Sequence, residues 1–127
     1  MLIRRRTLQA NLTVYMPDFF GGESLDLDLI KANKWAELDI EGFKARNNRS
    51  LREPEVFACI KALRTSGYKK IGAADYCWGG WAVFRLATEK LVDCAICAHP
   101  SMLTAADFDG VDVPIMMLQP EHDSVSG

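Results

Sequence analysis

Apolar and polar residues alternate with two different periods along the chain, and the changes of period mark the predicted elements. The segment "NLTVYM" (11–16) alternates and is rich in β-formers, which predicts a strand. Pro17 and the pair Gly21 and Gly22 predict the turn that ends it. Residues 24–49 are polar with a weak helical pattern, so we expect an excursion that contains a helix.

The next apolar residues recur with the helical period. Ser50 and Glu53 have the spacing of a capping box, and Gly67 has the position of a C-terminal stop. Between them one helical face carries Val56, Cys59, Ile60 and Leu63. The pattern therefore predicts a helix that begins near Ser50 and ends before Gly67.

Three short apolar runs, at 69–75, 92–99 and 113–119, predict strands. The run at 92–99 is continuously apolar, which is typical of a strand covered on both faces. Between the first two runs, "GGWAVFRLATEK" (79–90) is apolar almost all round, as a helix packed on a sheet would be.

Strands and helices alternate in this order, which predicts an α/β fold with a mostly parallel sheet and helices on both faces. Ligands of such sheets bind at the carboxyl ends of the strands. The unusual residues of this chain lie at those ends: Pro17-Asp18, Cys77, His99-Pro100-Ser101 and Glu121-His122-Asp123.

The segment "DYCWGGW" (75–81) lies between a predicted strand and a predicted helix. A nucleophile elbow places Ser or Cys on such a turn, with small residues two positions before and after it. Cys77 has Gly79 at plus two, and Trp78 would donate a backbone N–H to an oxyanion. Asp75 at minus two departs from the pattern, because a carboxylate crowds the turn and opposes a thiolate. The pattern alone leaves open a buried cysteine near a helix start.

A catalytic triad also needs an acid and a base. Asp123 follows the last predicted strand, where the acid belongs, although an Asp there is also a common turn residue. The chain has two histidines, His99 and His122. His122 adjoins Asp123, a poor geometry for a relay with Cys77, and His99 before Pro100 is expected to be structural.

Cys94 and Cys97 have the spacing of a redox or zinc half-site, but they lie in a predicted strand. Side chains three positions apart on a strand face opposite sides of the sheet. We therefore expect them to pack rather than to bind a metal.

Charge and composition exclude several functions. The net charge of −2 argues against a nucleic-acid surface. No apolar stretch reaches the roughly 18 residues of a membrane span, and the N-terminus lacks the apolar core of a secretory signal. Four cysteines without such a signal predict reduced thiols and a cytoplasmic protein.

At these residues the chain resembles the dienelactone hydrolase family of the α/β-hydrolase superfamily. The resemblance rests on "VYMPDFFGGE", "IGAADYCWGGW", "CAHPS" and "VPIMMLQPEHD", which occur in the family's order. It implies a partial α/β-hydrolase fold and cleavage of small-molecule lactones or esters without metal or organic cofactor. It also implies that Cys77 is the nucleophile, Asp123 the triad acid and Trp78 an oxyanion donor.

The resemblance further implies that residues 1–127 form a single incomplete domain. The family's triad histidine comes well after the acid, and its early strands carry a glutamate that helps to activate the thiol. We therefore expect this chain to be inactive alone. One alternative is a non-catalytic relative that acts as a binding or scaffold protein. The other is a thiol-redox or metal protein that uses Cys94 and Cys97.

Overall fold

The computed structural model describes residues 3–7 and 11–121. In chain order its elements are β1 (Ile3–Thr7), β2 (Thr13–Pro17), α1 (Leu27–Lys31), α2 (Ile40–Arg46), α3 (Arg49–Thr65), β3 (Gly72–Tyr76), α4 (Gly80–Thr88), β4 (Cys94–Ala98) and β5 (Ile115–Leu118), with short 3₁₀ turns at 35–37, 77–79 and 105–107. The chain divides into two compact units, one up to Glu55 and one from Val56. That residues 1–127 belong to one incomplete domain stays a prediction.

The first unit contains a two-stranded antiparallel sheet. β2 confirms the strand predicted at 11–16, and it pairs with β1 in a register that places Ile3 opposite Pro17 and Thr7 opposite Thr13. β1 was not predicted, because three consecutive arginines interrupt the apolar alternation on which the strand prediction relied.

Two short helices form the predicted excursion, and aspartates cap both. The Asp26 carboxylate accepts the backbone N–H groups of Asp28 and Leu29 at the start of α1, at 2.8 and 3.2 Å. Asp39 accepts the N–H of Gly42 at the start of α2, at 3.0 Å. These bonds satisfy donors that a helix N-terminus leaves unpaired, which explains helix starts in so polar a segment.

The capping box predicted at Ser50 and Glu53 is wrong. α3 begins at Arg49, and the Asn48 side chain accepts the N–H of Leu51 at 3.1 Å. Ser50 lies inside the first turn, and its hydroxyl donates to Asn48 at 2.7 Å. Asn and Ser are both good capping residues, so residue type did not distinguish two start sites two positions apart.

The predicted end of α3 is confirmed. Gly67 has a φ of +94°, in the left-handed region that favours glycine. The N–H of Tyr68 donates to Leu63 and that of Gly67 to Arg64, which is the bond pattern of a Schellman motif. Three residues of the predicted apolar face are buried: Val56, Cys59 and Ile60.

The second unit contains a parallel sheet in the order β3–β4–β5, which confirms the predicted α/β fold with a mostly parallel sheet. Ala73 pairs with Ala95, and Ala95 pairs with Ile115. α4 connects β3 to β4 and packs on this sheet, and its apolar residues form a core with β4: Val83, Phe84, Ala87, Ala95 and Cys97.

α4 is buried almost all round, as predicted; only Arg85 and Thr88 are partly exposed. The prediction that β4 is covered on both faces is wrong, because burial alternates along the strand. Ala95 and Cys97 are buried beneath α4, whereas Cys94 and Ile96 are exposed. A continuous apolar run does not reveal which face finds a packing partner.

Candidate active site

The turn after β3 places Cys77 in a strained backbone conformation. Cys77 has a φ of +60°, directly follows the last residue of β3, and begins the 3₁₀ turn that leads into α4. For a residue other than glycine this region is sparsely populated, and such strain clusters at functional sites. Cys77 is exposed. This strand–turn–helix geometry is the context that a nucleophile elbow requires.

Two glycines allow the turn to close. A Cβ on Gly79 would overlap the carboxylate of Asp75, and a Cβ on Gly80 would overlap the side chain of Pro100. The glycines therefore permit two close approaches, one from the end of β3 and one from the loop after β4. These contacts explain why small residues follow Cys77, as the elbow pattern predicts.

Asp75 lies beneath the turn instead of disrupting it. Its side chain is half-buried, and it accepts a hydrogen bond from the backbone N–H of Tyr76. Burial raises the pKa of the Asp75 carboxyl, and the bond from Tyr76 opposes that rise. In the register of the sheet, Asp75 on β3 lies opposite Cys97 on β4. Burial raises the pKa of the Cys97 thiol, and the charge of Asp75 raises it further.

The loop after β4 contacts the turn directly. Ser101 is 8% exposed, and its Oγ lies 4.0 Å from the Sγ of Cys77. The backbone N–H of Ser101 donates to the carbonyl of Cys77 at 2.8 Å. Pro100 is fully buried against Gly80. The carboxyl ends of β3 and β4 therefore meet at Cys77, as the parallel sheet predicts.

Two hydrogen bonds determine the orientation of the peptide between Cys77 and Trp78. The Cys77 carbonyl accepts from Ser101 and from the N–H of Gly80. In a trans peptide the carbonyl and the N–H point to opposite sides. The Trp78 N–H therefore points away from Ser101 and Gly80. The Trp78 ring packs edge-on against Trp81 of α4, with ring centroids 5.4 Å apart.

His99 lies at the same edge of the sheet. It is exposed, its φ is +39°, and its N–H donates to the carbonyl of Leu118 at 2.8 Å. Its ring lies beside Tyr76, with ring centroids 6.3 Å apart. His122 and the predicted triad acid Asp123 lie outside the described residues, so their relation to Cys77 stays a prediction.

The remaining cysteines occupy separate environments. Cys94 is exposed and Cys97 buried, so they lie on opposite faces of β4, as the strand periodicity predicts. Cys59 is buried in α3, and burial raises the pKa of its thiol. In the part of the chain that the structure describes, no three His, Cys, Asp or Glu residues are grouped so as to hold a metal ion.

The sequence places Ser101 at a strand end but does not predict its contact with Cys77. The segment "CAHPS" marked a strand end, but a serine after Pro100 has no spacing rule that connects it to a cysteine 24 positions earlier. Only the strand order brings the two together.

Among residues 3–7 and 11–121, no helix combines the length and apolar character needed to cross a membrane.

Comparisons with known proteins identify one family model and several relatives. The family model of the dienelactone hydrolase family matches residues 1–126. A hydrolase of Talaromyces stipitatus, tropI, is 30% identical over 121 residues, which cover 88% of this chain and 46% of the relative. An uncharacterised AIM2 family protein of Schizosaccharomyces pombe is 28% identical, over 84% of this chain and 44% of the relative.

A maize protein named endo-1,3;1,4-beta-D-glucanase is 29% identical, over 95% of this chain and 37% of the relative. The chain thus spans less than half the length of each of these three relatives. No solved structure gives a significant match.

Proposed function

The chain belongs to the dienelactone hydrolase family, and on this premise we propose that it carries the nucleophile of a hydrolase that cleaves lactone or ester bonds in small molecules. Cys77 is the nucleophile, the Trp78 N–H the oxyanion donor and Asp123 the triad acid. The observation that carries the proposal is the left-handed backbone of Cys77 between β3 and α4.

In the proposed reaction the Cys77 thiolate attacks the carbonyl carbon and forms a C–S bond. The carbonyl oxygen becomes an oxyanion and accepts the Trp78 N–H, which the anchored peptide already orients. The intermediate then expels the alkoxide, which takes a proton, and water hydrolyses the thioester. A histidine oriented by Asp123 moves these protons. We propose that a longer protein supplies this histidine.

We also propose that the protein is cytoplasmic and acts on a small molecule. All four cysteines are free thiols, which supports a reducing, cytoplasmic location. The net charge of −2 supports a small-molecule substrate rather than nucleic acid. Among these three relatives only the name of the maize protein states a substrate, so the proposal extends to the bond cleaved and not to one compound.

The test compares hydrolysis of p-nitrophenyl esters and of a dienelactone by two proteins, each beside its Cys77→Ala variant. For residues 1–127 alone we expect no turnover above the variant, because a general base contributes about 10²–10⁴-fold. For a longer protein that contains this chain we expect turnover that Cys77→Ala abolishes. Turnover that survives Cys77→Ala in the longer protein would refute the nucleophile.

One observation favours a second candidate, a non-catalytic relative that binds a small molecule. Asp75 places a carboxylate beneath the turn, and a negative charge there disfavours a thiolate at Cys77. Absence of turnover in the longer protein, together with saturable binding of a lactone that Cys77→Ala retains, would select this candidate.

A further inference from the structure

We propose that Ser101 is a positioning residue for Cys77, whose hydroxyl donates a hydrogen bond to the thiolate and holds the sulfur at the start of α4. The proposal concerns the reactivity of the thiol. It deepens the proposed function, but its test requires no hydrolysis.

The geometry makes the Ser101 hydroxyl a neighbour of the sulfur. The two side-chain atoms are 4.0 Å apart, a contact distance for a neutral thiol. Ser101 is buried, so its hydroxyl has little competition from water. A thiolate is a much stronger acceptor than a thiol, and bonds to charged groups are shorter. Ionisation of Cys77 should therefore draw the hydroxyl closer.

The backbone keeps this hydroxyl in place. The Ser101 N–H is bonded to the Cys77 carbonyl, and Pro100 is packed against Gly80. The loop residues on both sides of this pair, His99 and Met102, have φ of +39° and +61°. Positive φ at non-glycine residues persists only where surrounding contacts hold the backbone. The loop after β4 is thus held against the turn at both backbone and side-chain level.

The electrostatic setting shows why such a donor is needed. The Asp75 carboxylate lies against Gly79, two residues after Cys77, and a negative charge near the turn opposes a thiolate. The N-terminus of α4 favours it. A hydrogen bond from the Ser101 hydroxyl to the thiolate would add a second stabilising interaction, which opposes the effect of Asp75.

The test measures alkylation by iodoacetamide, in which the thiolate sulfur displaces iodide and forms an S–C bond. Peptide mass spectrometry follows each cysteine of the chain separately. Exposed Cys94 serves as the internal reference, and buried Cys59 and Cys97 report unfolding, because they react only when the fold opens. The wild type is compared with Ser101→Ala, with Ser101→Thr, which keeps a hydroxyl, and with Ser66→Ala, which removes an exposed one.

A bond to the thiolate raises the ionised fraction but lowers the intrinsic nucleophilicity of the sulfur. We therefore expect Ser101→Ala to slow Cys77 about threefold relative to Cys94 near neutral pH. At alkaline pH, where the thiol is ionised in both proteins, the variant should react as fast as the wild type or faster. Ser101→Thr should restore the neutral rate at least in part, and Ser66→Ala should change nothing.

A rate ratio of Cys77 to Cys94 that Ser101→Ala leaves unchanged at every pH would overturn the proposal. So would a change by the same factor at all pH values, since that indicates altered access rather than a lost donor. If Cys59 and Cys97 become reactive in Ser101→Ala, the comparison of Ser101→Thr with wild type decides: a neutral-pH loss as large as the one expected for Ser101→Ala overturns the proposal, because the hydroxyl is still present. If Ser101→Ala slows Cys77 at neutral but not at alkaline pH in a longer protein that has no hydrolase activity, the proposed function is refuted and this inference is supported.

Discussion

At the scale of single residues, the carboxylate of Asp75 packs against the turn that carries Cys77. It is half-buried beneath the turn, accepts the Tyr76 N–H and lies against the α-carbon of Gly79. The turn accommodates a carboxylate at this position because the glycine two residues after Cys77 provides the space. The effects of substitutions at Asp75 and at Gly79 on stability should therefore be coupled.

Replacing Asp75 with Asn should stabilise the second unit at neutral pH. The folded pKa of Asp75 lies above its ordinary value of 3.8, so the folded state binds more protons than the unfolded state in that window. Stability is therefore greatest below the ordinary value and falls as pH rises through the folded pKa. In urea unfolding, the free energy of unfolding of Asp75→Asn relative to that of the wild type should increase between pH 4 and pH 7. An equal difference at both pH values would contradict this.

Gly79→Ala should destabilise the protein by about 1–3 kcal/mol through overpacking, because its Cβ would overlap the Asp75 carboxylate. Asp75→Gly removes that carboxylate, so the double variant should lose much less than the sum of the single changes. Chemical denaturation of the four proteins gives the coupling free energy. Additive losses would show that the two residues are independent.

At the scale of elements, Asp93 connects the end of α3 to the start of β3. Its carboxylate accepts from the Arg64 guanidinium at 3.0 Å, from the Lys70 ammonium at 3.1 Å and from the Ile71 N–H at 2.9 Å. These bonds, the Ile71 N–H first, hold the pKa of Asp93 well below its ordinary value. Asp93 therefore contributes stability at neutral pH, unlike Asp75.

Asp93→Asn should destabilise the protein at pH 7, the opposite of Asp75→Asn. The contribution of a carboxyl with a lowered folded pKa is present above its ordinary value and is lost as pH falls through the folded pKa. The difference between Asp93→Asn and wild type should shrink as pH drops below about 4. Thermal melts of both variants across this pH range test whether the two substitutions change stability in opposite directions.

The packing of α4 against the loop after β4 should also be sensitive to a single methyl group. Gly80 has helical φ and ψ of −52° and −43°, which alanine adopts readily. Helix propensity alone predicts a gain of about 1 kcal/mol for Gly80→Ala. Because the new Cβ would overlap Pro100, we expect a loss of stability instead. A higher melting temperature for Gly80→Ala than for the wild type would show that the loop moves to accept the methyl group without a loss of stability.

At the scale of the whole molecule, the parallel sheet presents an apolar face opposite α4. Ile96, Met116 and Leu118 on this face are 38%, 58% and 54% exposed. In the described residues β3 and β5 each pair on one edge only, with β4 between them. Unpaired edges and exposed apolar faces favour association between chains.

We therefore expect residues 1–127 expressed alone to aggregate, and Met116→Lys to reduce this. A lysine on the edge strand β5 opposes pairing with another chain. Leu51→Lys is the matched control, since Leu51 is 56% exposed but lies on α3. Light scattering during a thermal ramp measures the effect. Equal protection by both variants would indicate a general charge effect rather than association through the sheet.

The amino-acid sequence by itself determined the order and type of most elements and the family. Periodicity and turn chemistry act over a few residues, so β2, α4, β4, β5 and the stop at Gly67 follow from nearby residues. The four motifs in order determined the resemblance, and the family match over residues 1–126 confirms it.

Only the tertiary structure decided the features that depend on atoms distant along the chain. These are the pairing of β1 with β2, the exposed face of β4 and the contact between Cys77 and Ser101. The cap of α3 at Asn48 is the local exception, because Asn48 and Ser50 are both good capping residues and lie only two positions apart. A parallel sheet brings successive strand ends to one edge, so residues without any recognisable spacing become neighbours there.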